Sequence, residues 1–215
     1  MNIPLKMPSN SPWDKDVPII NNRHHTDVYI TDSIDEPAYY NELCHILRTS
    51  QEGDTVMLHL NTPGGMVDSA FMIIDAIKAS KAVVTGYLTG TVASAGTMIA
   101  LACDELVASN HLSFMIHNYS AGMSGKGHEM KARQEFTDRS LNEAFKSFYK
   151  GFLTDKEMAE IIDGKDMWMD SADVEKRWAK RQTLLQGTVE RIVLETEPVT
   201  ATKKRTTTKK TAKEA

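Results

Sequence analysis

Cysteine is scarce in this chain of 215 residues: there are two, Cys44 and Cys103, each inside an apolar stretch, "ELCHIL" and "ALACDEL". Two isolated cysteines build neither a disulfide framework nor a cysteine metal site. Buried free thiols in a reducing compartment, the cytoplasm, are the expectation. Long apolar runs are also missing, and none approaches the roughly 18 residues that span a bilayer, so no membrane partner is expected. The first residues, "MNIPLKMPSNSPWDKD", lack the apolar centre of a signal peptide. Positive charge is not in excess: the formal net charge is −4, which gives the chain as a whole no reason to seek nucleic acid. No internal repeat is present.

What remains is an ordinary globular composition, 41% hydrophobic and 25% charged, enough for one domain with a sizeable core. Residues 1–26 are rich in Pro, Asn and Ser and read as an N-terminal arm. Residues 198–215, "PVTATKKRTTTKKTAKEA", hold one large apolar residue, Val199, and read as a disordered basic tail. The domain is expected between them, at 27–197.

Within it, strand and helix patterns alternate. Strands are expected at 27–31, 55–61, 82–88, 105–109 and 112–118. Helices are expected at 37–50, with Tyr40, Leu43, Cys44 and Leu47 on one face, at 66–80, with Ala70, Ile73, Ile74 and Ile77 on one stripe, and at 96–104. This order predicts an α/β fold with a largely parallel sheet and helices on its faces. A helix near 128–150 is too polar on most sides to be a core element. "TDKE" at 154–157 is a capping box that starts the next helix, and 172 to about 195 is a last amphipathic stretch.

Three segments carry candidate chemistry. "GTVASAGTMI" puts a lone hydroxyl, Ser94, among small residues where a strand turns into a helix. Open α/β sheets bind ligands at such strand ends, and a helix start leaves N–H groups free; Ser94 could equally be a helix cap. "NTPGG" at 61–65 joins a strand to a helix, and its paired glycines could aim N–H groups at an oxyanion or form a plain turn. His117 ends the apolar strand "LSFMIH" beside a Gly-rich loop, unlike the other six histidines, and could be a base or a structural residue.

Taken in order, "NTPGG", "ASAG" and "MIHN" resemble the proteolytic subunit of the ATP-dependent Clp protease, over residues 27–178. That family has an N-S-P-G-G turn, a serine in an A-S-M-G or A-S-A-G setting, a histidine in M-I-H, and then an aspartate before an aromatic residue, which "DMWMDSA" matches at Asp166. The resemblance implies a ClpP/crotonase-type superhelical ββα repeat core with a projecting handle helix at 128–150. It implies Ser94 as nucleophile, His117 as base, Asp166 as the orienting carboxylate, and the backbone N–H groups of Gly65 and Ala95 as oxyanion hole. No cofactor or metal is implied. The implied partners are further copies of the chain in a tetradecameric double ring, an AAA+ Clp unfoldase, and polypeptide substrates. Segment 122–127 would be a strand-like edge beside the substrate.

The sequence departs from the family pattern at several places. Thr62 stands where Ser is usual and Ala95 where Met is common. Asp170 makes "DMWMDSA" one residue longer than the tightest form of the motif, so Asp170, and more distantly Asp163, rival Asp166. The arm and the region after 178 do not resemble the family's termini. Rival readings are an acyl-CoA-binding crotonase, a Ser–Lys peptidase using Lys78, Lys81 or Lys126, a virion or scaffold-maturation protease without an ATPase, and a catalytically silent ring-forming scaffold.

Overall fold

The apolar strand segments of the sequence lie parallel at the centre of a seven-stranded sheet in the computed structural model, which describes residues 17–196, with side chains through residue 186. In chain order the elements are β1 (Ile19–Asn22), β2 (His25–Ile30), a 3-10 turn at Pro37–Tyr40 leading into α1 (Asn41–Thr49), β3 (Thr55–Thr62), α2 (Val67–Ala79), β4 (Val83–Ala93), α3 (Ala95–Ala102), β5 (Glu105–Ala108), β6 (Ser113–Ile116), α4 (Gly127–Phe148), α5 (Asp155–Ile162), β7 (Met167–Met169) and α6 (Ser171–Thr196). The basic tail and residues 1–16 of the arm lie outside the described residues.

The sheet order is β1-β2-β3-β4-β6-β7, with β5 paired to the other end of β4. Neighbours from β2 to β6 are parallel, and the edges β1 and β7 are antiparallel. The expected helix faces form the core: Tyr40, Leu43, Cys44 and Leu47 of the first helical segment and Ala70, Ile73, Ile74 and Ile77 of α2 are all buried. Both cysteines are buried free thiols, and burial pushes the Cys103 thiol well above its ordinary range.

Helix cover differs from expectation. Buried and half-exposed positions alternate along β2 and β3, as they do when one face of a sheet is packed and the other is not. On the open face Tyr29, His59, Tyr87 and Val107 form a row across four strands. There His59 stacks on Tyr29 and bonds Asp27 at 2.8 Å.

Three further differences concern strands. Part of the expected arm forms β1, which turns into β2 through a two-residue loop, Arg23-His24. Such loops favour positive φ, and Arg23 supplies it at 54°; without Gly or Asn there the sequence carries no hairpin signal. β7 is three residues long and leaves no periodic pattern. Strand β4 runs past the expected end at residue 88 to Ala93, by way of a bulge at "TGT", residues 89–91. Leu60 pairs with Leu88 and Thr62 with Val92, so three residues of β4 face Asn61 alone. Asn61 fills the gap by accepting from the Thr91 N–H at 3.0 Å. Gly90, at φ 57°, leaves room for that carboxamide, since a Cβ would lie 2.7 Å from its oxygen. Beyond the bulge β4 exchanges β5 for β6 as its neighbour.

Helix α4 projects as expected of a handle: Phe145 is its one buried residue among those described, and Phe136 is 62% exposed. The capping box is present at Thr154 and Glu157. Helix α6 holds the domain's flank through two arginines. Arg177 grips both oxygens of Glu157 at 2.7 and 3.1 Å. Arg181 donates to the Leu101 and Phe148 carbonyls, at the C-terminal ends of α3 and α4, where a cation is favoured. Among the described residues no helix is long and apolar enough to cross a membrane.

Candidate active site

The bulge in β4 determines where Ser94 goes. With its upper half redirected, β4 ends in the pair Ala93↔Met115 with β6, and the Ser94 N–H continues that ladder onto the Met115 carbonyl at 2.9 Å. Ser94 then turns sharply into α3 as its N-cap, at φ 53°, ψ −126°. A non-glycine residue in this region is strained, and its side chain makes no capping hydrogen bond. The plain helix-cap alternative is therefore not what the hydroxyl does. Ser94 is half-buried, while its neighbours Ala93, Ala95 and Gly96 are buried.

A buried pair of hydroxyls supports the turn. Thr97 Oγ1 lies 2.6 Å from the Ser94 carbonyl, which can only accept. The single Thr97 hydrogen is thus committed there, and Tyr149, 2.7 Å away, donates to Thr97. Burial drives the Tyr149 phenol far above its ordinary range, so it keeps the proton this relay requires. Neither residue was singled out from the sequence; they are separated by 52 positions.

The "NTPGG" turn packs directly on this elbow. A Cβ on Gly64, at φ 95°, would lie 2.5 Å from the Ser94 Cβ and 2.7 Å from the Ala93 carbonyl. Thr62 is fully buried and its hydroxyl accepts from the Gly64 N–H at 3.1 Å. The turn is tied to Ile34 through the Gly64 carbonyl and the Met66 N–H, at 2.8 and 2.7 Å. That bridge leaves the Gly65 N–H outside the ladder. The Ala95 N–H, first in α3, has no carbonyl four residues back in the helix to bond.

The antiparallel pairing of β6 with β7 lays the stretches that carry His117 and Asp166 side by side. Phe114 faces Met169, Met115 faces Trp168 and Ile116 faces Met167. One step further, the same register sets His117 opposite Asp166. His117 is half-buried and Asp166 exposed. Among the described residues no hydrogen bond joins Ser94, His117 and Asp166 side chains to one another. The Asn118 carboxamide holds this end of β6, donating to the Ile162 carbonyl at the end of α5 at 2.9 Å.

The rival carboxylates fall elsewhere. In that register Asp170 lies opposite Ser113, four residues along the strand from His117, or about 13 Å. Its Oδ1 accepts the Asp173 N–H at 2.9 Å, at the start of α6. Asp163 terminates α5. Of the rival lysines, Lys78 lies over the Phe148 ring and Lys126 pairs with Glu129. Of the segment 122–127 expected as an edge beside the substrate, residues 122–126 join no strand and Gly127 already begins α4. Nor do the described residues contain a cluster of three or more side chains that could hold a metal ion.

The family model described as Clp protease matches residues 19–177, which spans all four motifs and both edge strands. The chain belongs to the Clp protease family. Its relatives include the ATP-dependent Clp protease proteolytic subunit 1 of Chlamydia caviae, 29% identical over 166 residues, covering 75% of this chain and 81% of that one. The proteolytic subunit 2 of Pseudomonas aeruginosa is 26% identical over 152 residues, covering 68% and 74%. The proteolytic subunit 1 of Protochlamydia amoebophila is 27% identical over 155 residues, covering 68% and 74%. Within this Clp protease the α/β core and the projecting α4 follow the family expectation. The bulge at Asn61, the Thr97–Tyr149 relay and the Asn118 anchor are what sequence reasoning missed.

Proposed function

We propose that this chain is a serine endopeptidase, the proteolytic subunit of an ATP-dependent Clp-type protease. Ser94 is its nucleophile, His117 its general base and acid, and Asp166 the carboxylate that orients the imidazole. The observation that carries this reading is the joint register of β4, β6 and β7, in which Ser94 continues one ladder and the next ends at Ile116↔Met167, one residue short of His117 and Asp166. Asp170 serves α6 instead.

The chemistry follows from that arrangement. A polypeptide lies along the exposed side of the Ser94 elbow, with its scissile carbonyl toward the Gly65 and Ala95 N–H groups. Ser94 Oγ attacks the carbonyl carbon while His117 takes the hydroxyl proton. The oxyanion that forms is met by the two N–H groups; loss of one such donor typically costs about 3–4 kcal/mol of transition-state stabilisation. His117 returns the proton to the leaving amine, which departs with the C-terminal half of the substrate. A water then attacks the acyl-enzyme with His117 again as base, releasing the N-terminal half and restoring Ser94. Asp166 holds the imidazole tautomer and stabilises its charged form. The side chains close these hydrogen bonds when substrate or neighbouring subunits engage, as apo catalytic contacts commonly tighten on binding.

Assembly and feeding complete the proposal. Phe136 on α4 and Trp168 on β7 are each more than 60% exposed and are accessible to a partner chain. Further copies of the chain cover them in a tetradecameric double ring, with the serines inside. An AAA+ unfoldase then supplies unfolded polypeptides, in keeping with relatives named as ATP-dependent. The cytoplasm, where the two free thiols stay reduced, is the setting.

A fluorophosphonate probe tests the reading. It labels Ser94 covalently in the parental chain, and Ser94→Ala abolishes both labelling and peptide cleavage. Peptidase activity retained by Ser94→Ala removes the assignment. Folded substrates are degraded only with an unfoldase and ATP; degradation of a scaffold protein without either supports the maturation-protease alternative.

A further inference from the structure

Strand β6 ends at Ile116, and from His117 to Lys126 the chain has no regular structure. Among the described residues only two side chains tie its first residues to the rest of the fold by hydrogen bonds. One is Asn118, bound to the end of α5. The other is Tyr119, two residues after His117, whose hydroxyl donates to Asp138 in the middle of α4. Gln134, one turn earlier on the same helix, donates to the Tyr119 oxygen at 2.7 Å and to Asp138 at 2.9 Å. The three groups thus close a ring of hydrogen bonds, one of them from a phenol to a carboxylate, the stronger charge-assisted kind. The Tyr119 ring is half-buried and packs against the core, so the hydroxyl rides on a fixed stem.

We infer that Tyr119 and Asp138 form a positioning pair that fixes the end of β6, and with it His117, against helix α4. The inference rests on the reading of His117 as general base. An imidazole one residue beyond the last strand pair keeps its backbone geometry only if the chain after it is held. Asn118 restrains that chain toward α5 and the loop leading to Asp166. Tyr119 restrains it from the other side, toward α4. Without the second restraint the histidine backbone can shift while strand, core and helix stay intact. Reaction geometry tolerates little of this, since a misplacement of about 1 Å can cost on the order of a hundredfold in rate.

The test uses the full chain and a fluorophosphonate, reading both the rate constant of Ser94 labelling and its end-point per chain, with peptide kcat and KM alongside. Tyr119→Phe keeps the ring and deletes the hydroxyl; Asp138→Leu deletes the acceptor. Each should lower the labelling rate and kcat about tenfold, with KM, native mass and complete end-point labelling retained. The double variant should be no slower than either single one, and Asp138→Asn, which keeps an acceptor oxygen, should recover most of the rate. Parental rates in Tyr119→Phe overturn the inference. So does a fall in end-point at unchanged rate per labelled site, because the pair would then only stabilise the fold. A parental chain that is not labelled at Ser94 removes the peptidase reading and the inference together; a labelled parent with an unaffected Tyr119→Phe removes the inference alone.

Discussion

Thr97 and Tyr149 share a buried hydrogen bond of 2.7 Å directly beneath the Ser94 carbonyl. Tyr149 follows the last residue of α4 and Thr97 lies in the first turn of α3, so the bond fastens the projecting helix to the strained elbow. Its direction, from Tyr149 through Thr97 to Ser94, makes the two residues unequal. Thr97→Val leaves the phenol with a buried, unpaired donor and removes the hydroxyl bond to the Ser94 carbonyl, which keeps only the backbone N–H of residue 97 at 2.9 Å; this should cost about 1–3 kcal/mol. Tyr149→Phe leaves Thr97 still bonded to Ser94 and should cost less. Urea unfolding of both variants checks the ranking; an equal or reversed order would mean the relay runs the other way.

The register of β6 with β7 separates the two carboxylates of "DMWMDSA". Asp166→Asn should lower peptidase kcat by about 10⁴, the scale on which a serine triad loses its orienting carboxylate, with little change in stability. Asp170→Ala should do the opposite. It removes the acceptor at the start of α6, costing about 1 kcal/mol, while the rate per folded chain holds. Peptide hydrolysis and denaturant curves on the same preparations read both effects, and the reverse pattern would move the triad to Asp170.

Gly64 is the contact point between the two halves of the site. Gly64→Ala puts a Cβ 2.5 Å from the Ser94 Cβ in a backbone at φ 95°, so either the turn or the elbow must shift. The backbone strain alone is on the order of 1–3 kcal/mol. Thermal unfolding should report that loss, and labelling of Ser94 should slow in the fraction that folds. An alanine variant with parental melting temperature and labelling rate would show that the two loops do not touch as described.

Acid should release α6 from α5 through one carboxylate. The Arg177 guanidinium, together with the Thr154 cap, holds Glu157 down to about 2, against an ordinary value of 4.5. Because the folded state depresses this value, the stabilisation is complete above about 4.5 and is lost as the pH falls toward 2. Glu157→Gln keeps the side chain's shape and has no charge to lose. The difference in unfolding free energy between parent and Glu157→Gln should therefore be largest near neutrality and shrink between pH 4.5 and 2. A difference that stayed constant over that window would exclude the ion pair as its source.

Much of this chain's organisation is set locally and is legible residue by residue. The apolar stripes of α1 and α2 follow from the helical period, and the capping box at Thr154 from two side chains three positions apart. Ser94 lies between strand and helix because the residues on either side have opposite local preferences. The family motifs are legible for the same reason, since each is a short stretch whose backbone does one thing. What no local pattern carries is which parts of the chain meet. Asp166 and Asp170 look alike in sequence, and only the return of β7 along β6 tells them apart, with Asp166 just beyond the pair Ile116↔Met167 and Asp170 at the far end of β7. The end of β4 lies beyond the apolar pattern, which stops at residue 88. It is a strand because Asn61, from a neighbouring strand, fills the bulge. The Thr97–Tyr149 and Tyr119–Asp138 bonds join residues 52 and 19 positions apart. Hydroxyls and carboxylates have no periodicity to announce a partner. Their pairing depends on distances of about 3 Å, and those exist only after sheet and helices have packed.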